Sequence, residues 1–419
     1  MKKLLCFLSI LILFGCTGSK EIATVNNGID DKNFIKLDKE ISNNPDNYEA
    51  YFELAQSYYL RGNEEMALSY ADSALGINPN YQEARYFKGE LNFNRNNITA
   101  AYEEFLILLS AENTEKWLDK VAEATGLRYL LKQLTYGNFD NANPMYDKSG
   151  KRIVLQSNKN QNWDIHIVDL NSGEAVELIT NSLNDESPVF AENNTILFTR
   201  QQNESGSKRD IYSYNLNDKT ENPIIVHPAD DWNPAPTQSG NTILFVSDRE
   251  IQGNYRSKIF SHNIKLNQTQ SLMLQDYDYS FPCVQSNKDR FLFTANSDVN
   301  YSLFDANIDG GSVSRLTSHN MDFGAPKYSP DGNKVVFFSR VTNNYDIYEL
   351  DLRTENLKRL TNDSAKDLSP SYSPDGKRVA FYSDRNGRYQ IFEIDLTQSI
   401  SIEELKDQMR SIIAVSNQG

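Results

Sequence analysis

Six aspartates recur just before regularly spaced prolines, and their carboxylates are the side chains of this sequence best placed to do chemistry together. The prolines are separated by 44, 46, 48, 44 and 44 residues: Pro144, Pro188, Pro234, Pro282, Pro326 and Pro370. Four aspartates lie four residues before a proline and two lie three before one: Asp140, Asp230, Asp278, Asp322, Asp185 and Asp367. Because a repeat puts corresponding residues at equivalent places, we expect these carboxylates to form an acidic ring around one end of a common axis.

Two interpretations of such an acidic ring stay open. In the first, each carboxylate accepts hydrogen bonds from backbone N–H groups of its loop, as aspartates in Asx turns do, and the ring is structural. In the second, the ring binds a cation such as calcium or a basic segment of a partner protein. No cofactor other than calcium is predicted.

Signatures of catalysis are missing from the sequence. It contains no Gly-x-Ser-x-Gly, no His-Glu-x-x-His and no glycine-rich phosphate loop before a helix. Cys283 follows a repeat proline and is expected to be a small buried residue, not a nucleophile. The four histidines fall in different repeats without the spacing of metal ligands: His166, His227, His262 and His319. We therefore predict a protein that is not an enzyme and has no catalytic residues.

Short β runs separated by turn signals fill the intervals between the prolines. The turn that begins at Pro374 contains Asp-Gly, which supplies the positive φ values of a tight hairpin. The run after each turn is largely apolar, as in a strand packed on both faces: Ile153–Leu155, Ile196–Phe198, Ile243–Phe245, Phe291–Phe293, Val335–Phe337 and Arg378–Ser383. This repeat predicts the blade of a β-propeller, and six copies predict six blades over residues 129–400.

A closed ring of blades must hide its last edge, because an open edge exposes unpaired backbone groups. The segment Tyr129–Thr135 has the sequence of an outermost strand but precedes the first blade. We predict that it completes the sixth blade. The competing candidate is Ser411–Val415, reached through a helix over Ile402–Met409.

Residues 31–128 carry helical patterns of a second kind. Tyr51–Tyr58 matches the opening of a tetratricopeptide repeat, and small or turn residues follow at the expected offsets: Gly62, Ala67, Ala74 and Pro79. A degenerate second copy covers Asn80–Asn113, an incomplete one Asn33–Asn43, and an amphipathic helix covers Thr114–Thr125. Since so few repeats are near the minimum for an independent solenoid, we expect this domain to lean on the propeller.

The N-terminus resembles that of a bacterial lipoprotein. An apolar run over Leu4–Phe14, too short to span a bilayer comfortably, ends in Leu-Phe-Gly-Cys, which resembles a lipobox. The resemblance implies that residues 1–15 are a signal peptide and that Cys16 is lipidated, with palmitate among the expected acyl groups. The next residue is Thr and not Asp, which favours delivery to the outer membrane. Residues 16–30 have no periodicity and read as a flexible tether.

The formal net charge is −15 and the sequence pI about 4.9. A surface this acidic repels nucleic acid, so nucleic-acid binding is excluded.

The repeats resemble those of TolB, the periplasmic component of the Tol–Pal envelope system. The shared string is Arg-Leu-Thr, then Asp-x3-Pro-x-Tyr-Ser-Pro-Asp-Gly, a β run ending in Ser-x-Arg, and Asp-Ile-Tyr. Residues 319–356 and 363–400 carry it strongly and residues 140–172 moderately. TolB has a small α/β domain where this chain has helices. The combination is similar to Bacteroidetes-type lipoproteins that join tetratricopeptide helices to TolB-like blades.

The predicted fold class is a multidomain α+β protein: all-α tetratricopeptide helices, an all-β six-bladed TolB-like propeller, and a C-terminal helix and tail over residues 401–419. The predicted function is an outer-membrane lipoprotein on the periplasmic face that acts as a non-enzymatic, protein-binding scaffold. Its expected partners are envelope proteins, bound through the helices and the propeller, and the membrane, bound through the lipid. The alternative is a propeller that binds or cleaves oligosaccharides.

Overall fold

The computed structural model describes residues 30–202, 208–249, 257–272, 277–285, 288–296, 300–317, 322–340, 344–362 and 365–416. Within these ranges six helices precede twenty-four strands, and one helix follows them. This agrees with the predicted α+β layout. Cys16 and the segment 1–15 lie outside the described residues, as does His319, so the predicted lipid anchor stays a prediction. None of the described helices is long and apolar enough to cross a membrane.

The N-terminal helices form a layer in which successive helices pack on each other. Asn47 and Asn63 begin two of them by accepting hydrogen bonds from the backbone N–H groups of Ala50 and Met66, at 3.2 and 3.1 Å. Ala67 is fully buried, which lets neighbouring helices approach closely. The bounds are α1 Asp30–Asn43, α2 Tyr48–Leu60, α3 Glu64–Ile77, α4 Gln82–Asn94, α5 Ile98–Ser110 and α6 Glu115–Thr125.

Six four-stranded antiparallel sheets follow, as the repeat predicts. Blade one contains β2 Asn141–Tyr146, β3 Arg152–Ser157, β4 Asp164–Asp169 and β5 Ala175–Ile179. Blade two contains β6 Asp185–Ala191, β7 Thr195–Gln201, β8 Arg209–Asn215 and β9 Glu221–Ile225. Blade three contains β10 Asp231–Pro236, β11 Thr242–Ser247, β12 Lys258–Asn263 and β13 Gln268–Ser271. Blade four contains β14 Asp278–Val284, β15 Arg290–Asn296, β16 Tyr301–Asn307 and β17 Ser314–Arg315. Blade five contains β18 Phe323–Tyr328, β19 Lys334–Ser339, β20 Asp346–Asp351 and β21 Leu357–Arg359. Blade six contains β22 Asp367–Tyr372, β23 Arg378–Ser383 and β24 Gln390–Ser399.

The sixth blade is completed from the other end of the propeller. Strand β1 (Tyr129–Gln133) pairs antiparallel with β24, with Leu131 opposite Ile394 and Gln133 opposite Phe392. The sheet order is β1-β24-β23-β22, so the predicted closing strand is confirmed.

The competing closing strand was wrong, because the segment is helical. Helix α7 runs over Ile402–Ser416 and includes the whole of that candidate. Ser401 and Glu404 form a capping box: the Ser401 backbone N–H and hydroxyl donate to the Glu404 carboxylate at 2.9 and 2.7 Å, and the Glu404 N–H donates to the Ser401 hydroxyl at 3.3 Å. This start commits the following residues to a helix.

Helix α7 packs back onto the helical layer and joins it to the propeller. Leu405 and Met409 are fully buried in one core with Phe105 and Trp117. Close by, the Asn362 side chain of the propeller donates to the carbonyl of Ala124 at 3.1 Å. The expectation that the helices lean on the propeller is confirmed.

Candidate functional site

Each innermost strand contains a β-bulge at the residue before its repeat proline. These six residues all have φ between 46° and 54°: Asn143, Ser187, Asn233, Phe281, Ala325 and Ser369. Left-handed backbone is costly for residues other than glycine, and a following proline restricts the backbone further. Because the conformation recurs in every blade, the repeat proline marks a bulge that the fold itself imposes.

The bulges and prolines line the axial channel. Residues from all six blades surround a cavity of about 70 Å³, room for only a few water molecules. Its wall is formed by neutral side chains, apart from Lys327. The predicted aspartates lie further along the same strands, at their N-terminal ends.

The structure divides the six predicted aspartates into two sets, according to their distance from the proline. Successive side chains of a strand point to opposite faces, so positions three and four residues before the proline cannot share one environment.

The aspartates three residues before the proline are buried in ion pairs. Asp185 is fully buried and faces Arg200, whose Nε and Nη2 donate to its two carboxylate oxygens at 2.7 and 2.8 Å. Asp367 is also fully buried and receives Nη2 of Arg385 at 2.8 and 3.0 Å. Burial raises the pKa of the Asp185 carboxyl, and the guanidinium of Arg200 opposes that rise.

Sequence reasoning missed a third member of this buried set. Asp231, directly after the predicted Asp230, is fully buried and contacts Arg249 at 2.5 Å. Arg249 and Arg385 end the Ser-x-Arg motif, whose arginine reaches back to the aspartate of the innermost strand. The Ser-x-Arg motif was the sequence signal for this buried set, since its arginine pairs with the aspartate three residues before the proline.

The aspartates four residues before the proline lie at the joints between blades. Asp140 accepts hydrogen bonds from the Tyr389 backbone N–H at 3.0 Å and from the Asn158 side chain at 3.1 Å. Asp322 likewise accepts the Tyr301 backbone N–H at 3.0 Å. Both carboxylates therefore cap the third strand of the preceding blade. They accept backbone N–H groups, but from the neighbouring blade and not from their own loops as in an Asx turn.

The remaining two aspartates of this set are Asp230 and Asp278. The carboxylate of Asp230 receives Nε and Nη2 of Arg209 at 2.9 and 2.6 Å, and that guanidinium lies 4.4 Å from the centroid of the Trp232 ring. Asp278 begins β14, opposite Asn296. Five of the six carboxylates are therefore engaged in pair or cap contacts within the fold.

A further set of buried aspartates begins the third strands, and sequence reasoning gave it no role. Asp164, Asp210 and Asp346 are each at most 1% exposed. Asp346 pairs with Arg359 at 2.5 Å, and Asp164 accepts the side chains of two asparagines. The Asp-Ile pair that opens β4, β8 and β20 is the sequence signal for it.

No three His, Cys, Asp or Glu side chains approach closely enough to hold a metal ion in the part of the chain that the structure describes. His166, His227 and His262 lie in separate places on blades one to three. Cys283 is half-buried and packs against the core between blades four and five. Calcium binding by the ring stays a prediction. Calorimetric titration of calcium into the parent chain and into Asp→Asn variants of the ring tests it.

Three joints between blades share a group of a tyrosine and a carboxylate, each buried or half-buried, with a partly exposed base. At the joint of blades six and one, the Tyr146 hydroxyl donates to Glu393 at 2.5 Å, and Arg378 contacts the same carboxylate at 3.1 Å. The other two groups are Tyr372, Glu349 and Lys334 at the joint of blades five and six, and Tyr328, Asp305 and Arg290 at that of blades four and five. We call these groups the joint triads.

The other three joints lack a joint triad. The register of the sheets identifies the residues at the corresponding positions. They are Val284, Ser261 and Thr242 at the joint of blades three and four; Pro236, Ser213 and Thr195 at that of two and three; and Phe190, Ile167 and Arg152 at that of one and two.

Comparison with known proteins supports this architecture. Residues 318–408 match the family model of the TolB beta propeller domain, PD40. No curated protein sequence matches the chain. The chain thus carries a TolB-like six-bladed β-propeller behind a layer of helices.

Solved structures share the fold at low identity. The putative TolB of Agrobacterium tumefaciens superposes with a TM-score of 0.50 at 15% identity, over 64% of this chain and 98% of that one. TolB of Acinetobacter baumannii gives 0.46 at 19% identity, over 62% and 64%. An oligogalacturonate lyase of Vibrio parahaemolyticus gives 0.48 at 12% identity, over 63% and 93%. These likenesses concern the fold alone.

Proposed function

We propose that the protein is a lipid-anchored, non-enzymatic scaffold of the outer membrane that binds other envelope proteins on the periplasmic face. The observation that carries the proposal is the joint core of α5, α6 and α7, which holds a helical layer and a propeller as one body. Two binding surfaces in a fixed relation can engage two partners at a set distance, which is what a scaffold requires.

The carboxylates around the channel support a binding role over a catalytic one. Asp185, Asp230 and Asp367 are engaged by arginines, and Asp140 and Asp322 cap backbone. A general acid or base has to reach a substrate proton, and these five carboxylates are already committed to contacts within the fold.

The helical layer also offers apolar contact area. Ile35, Leu60 and Ile107 are 69%, 66% and 52% exposed. Large apolar side chains of this kind contribute to protein contacts when a partner covers them.

Site-specific photocrosslinking in cells tests the scaffold role. A photoreactive residue at position 35 or 107 is compared with one at position 176, where Val176 is exposed on the outer strand β5. We expect defined envelope proteins, identified by mass spectrometry, to be captured from the helical positions and not from position 176. Equal background capture at all three positions would contradict the proposal.

The anchor is tested separately, through Cys16→Ser. We expect this variant to leave the membrane fraction and to lose incorporation of labelled palmitate. If the variant still fractionates with the membrane and still incorporates palmitate, the proposed lipid anchor at Cys16 is wrong. That result would not affect the photocrosslinking experiment.

A further inference from the structure

A cleft of about 890 Å³ lies at the joint of blades three and four. Thr242, Ser261 and Val284 line it. These are the three positions that a joint triad occupies elsewhere in the ring. The cleft therefore coincides with the replacement of a tyrosine, a carboxylate and a base by three smaller side chains.

The lining is dense in neutral groups that both donate and accept hydrogen bonds. Five side-chain amides line the cleft: Gln238, Asn263, Gln268, Gln270 and Gln285. Five hydroxyls join them: Thr237, Ser239, Thr242, Ser261 and Thr269. Five of them already form hydrogen bonds within the fold: Thr237, Ser239, Asn263, Thr269 and Gln285. The other five can bind a partner group of either polarity.

One of the hydroxyls opens onto the cleft from a largely buried residue. Ser261 is 8% exposed and lines the cleft, and no hydrogen bond joins its hydroxyl to a residue that the structure describes. Along one wall, Gln268 and Gln270 stand exposed on the outermost strand β13. A ligand can therefore reach both the wall and the Ser261 hydroxyl.

We propose that this cleft is a binding site for a neutral oligosaccharide, a role independent of the proposed scaffold function. Closely spaced hydroxyls on a sugar match a lining of amides and hydroxyls, since both sides donate and accept at high density. The volume lies in the range of ligand pockets, about 300–1,000 Å³. Leu266, 64% exposed, and Ile308 offer apolar contact for the C–H face of a sugar ring.

The charges of the lining argue against an acidic sugar. They are Lys288, Asp289 and Asp309, two carboxylates against one ammonium group. A peptide bound in extended form would need separate pockets for alternate side chains, and the amides and hydroxyls of this lining offer a continuous polar surface in their place.

Binding is tested with the purified propeller-containing chain on an array of neutral oligosaccharides that differ in sugar and linkage. Trigalacturonate and a Gln/Ser/Thr-rich heptapeptide serve as the acidic and peptide probes. Calorimetry then measures the dissociation constant of the best neutral sugar. We expect a neutral oligosaccharide to bind. Binding of none of the neutral sugars, or of the peptide alone, would overturn the proposal.

Two variants place the site in the cleft. Gln268→Ala/Gln270→Ala removes two exposed side chains and should weaken sugar binding at least about tenfold. Thr242→Arg/Ser261→Asp/Val284→Tyr installs the triad of the next joint and should abolish binding by filling the cleft.

The matched control is Asn222→Ala. Asn222 lies opposite Ser213 in blade two as Gln270 lies opposite Ser261 in blade three. This variant should bind sugar as the parent chain does. If the double glutamine variant, folded by circular dichroism, also binds like the parent, the cleft is not the site. This conclusion rests on the double glutamine variant alone and does not depend on whether the triple variant folds.

Discussion

The two halves of the propeller ring are joined by different chemistry. From blade four through blades five and six to blade one, every joint contains a tyrosine that donates to a carboxylate. Tyr146 and Tyr372 are buried and Tyr328 is half-buried. From blade one to blade four, the corresponding positions hold Phe190, Pro236 and Val284. One half is therefore closed by specific polar groups, and the other half has one joint that opens into a cleft.

The comparison teaches that a propeller keeps its shape without a polar group at every joint. Burial raises the pKa of Tyr372 far above its ordinary value, so this hydroxyl stays a neutral donor to Glu349. Fully satisfied polar groups of this kind specify one arrangement of neighbours. Where they are absent, packing and other polar contacts hold the blades, such as Arg209 with Asp230 and Ser257 with Tyr279, and the space of the triad is free to bind something else.

The largest effect is expected at the closing strand, which seals the half that contains the joint triads. Lys132→Pro/Leu134→Pro removes backbone hydrogen bonds to β24, since the Leu134 N–H donates to the Ile391 carbonyl and Lys132 lies two residues before it, opposite Glu393. The change should cost at least about 3 kcal/mol or abolish cooperative unfolding. Thermal unfolding measures the loss.

The control places the same change on an ordinary outer strand of the other half. Gln270→Pro/Leu272→Pro at β13, where the Leu272 N–H donates to the Ile259 carbonyl, should cost clearly less, because β13 does not close the ring. Equal melting temperatures for the two variants would contradict the closing role of β1.

The second prediction concerns the contribution of buried ion pairs to stability, which should be the same in both halves of the ring. Each half contains such a pair: Arg385–Asp367 lies in blade six and Arg200–Asp185 in blade two. Arg385→Met and Arg200→Met each remove the arginine that faces a buried carboxylate and should each cost about 3–5 kcal/mol in urea unfolding.

The surface pair of Arg388 and Asp140 is the control. Arg388 is 57% exposed, and Arg388→Ala should cost at most about 1 kcal/mol. A large loss for one buried arginine with almost none for the other would show that these pairs, too, differ between the halves.

The third prediction concerns how much the tyrosine of a joint triad contributes to the free energy of unfolding. Tyr372→Phe leaves Glu349 buried without its tyrosine donor and should cost about 1–3 kcal/mol in urea unfolding. Tyr214→Phe is the control, because Tyr214 is buried in the other half and no hydrogen bond joins its hydroxyl to a described residue. It should change stability by less than about 0.5 kcal/mol. Similar losses for both would remove the distinction between the halves.

The smallest effect concerns acid stability at the hairpin turn of blade five. Hydrogen bonds from Ser329 and Asn333 lower the pKa of Asp331 to about 2. A lowered pKa stabilises the folded chain above the unfolded value near 3.8, and that stability is lost as pH falls towards 2. The melting-temperature difference between the parent chain and Asp331→Asn should therefore shrink between about pH 5 and 2.

Asp289→Asn serves as the control for that titration, since Asp289 is an exposed residue of the open joint. A difference for Asp331→Asn that stays constant over this pH range would contradict the lowered pKa.

Local patterns predicted the architecture well. The repeat proline, the Asp-Gly turns and the apolar second strands are all signals within one blade, and they predicted six blades. The turn glycines Gly332 and Gly376 both have φ of 70°, as such hairpins require. Closure was predicted because Tyr129–Thr135 repeats the outer-strand pattern without a blade of its own.

The candidate site was harder to predict, because it depends on the face of a strand and on partners far away in the chain. Grouping Asp185 with Asp140 ignored a shift of one residue, which exchanges the two faces of a strand. The partner of Tyr146 is Glu393, 247 residues away. The role of α7 was missed for the same reason, since its apolar side meets helices from the other end of the chain.

The closing strand also determines how the ring would respond to tension. The chain enters the propeller along β1 and leaves it along the adjacent β24, and the helices before and after these strands share one core. Both chain ends leave at the same end of this pair, with Tyr129 opposite Ser399, so a pull on the helical layer is divided between β1 and β24. Separating the two strands by force would require the helical core to open first, so the helices protect the ring at the place where its two ends meet.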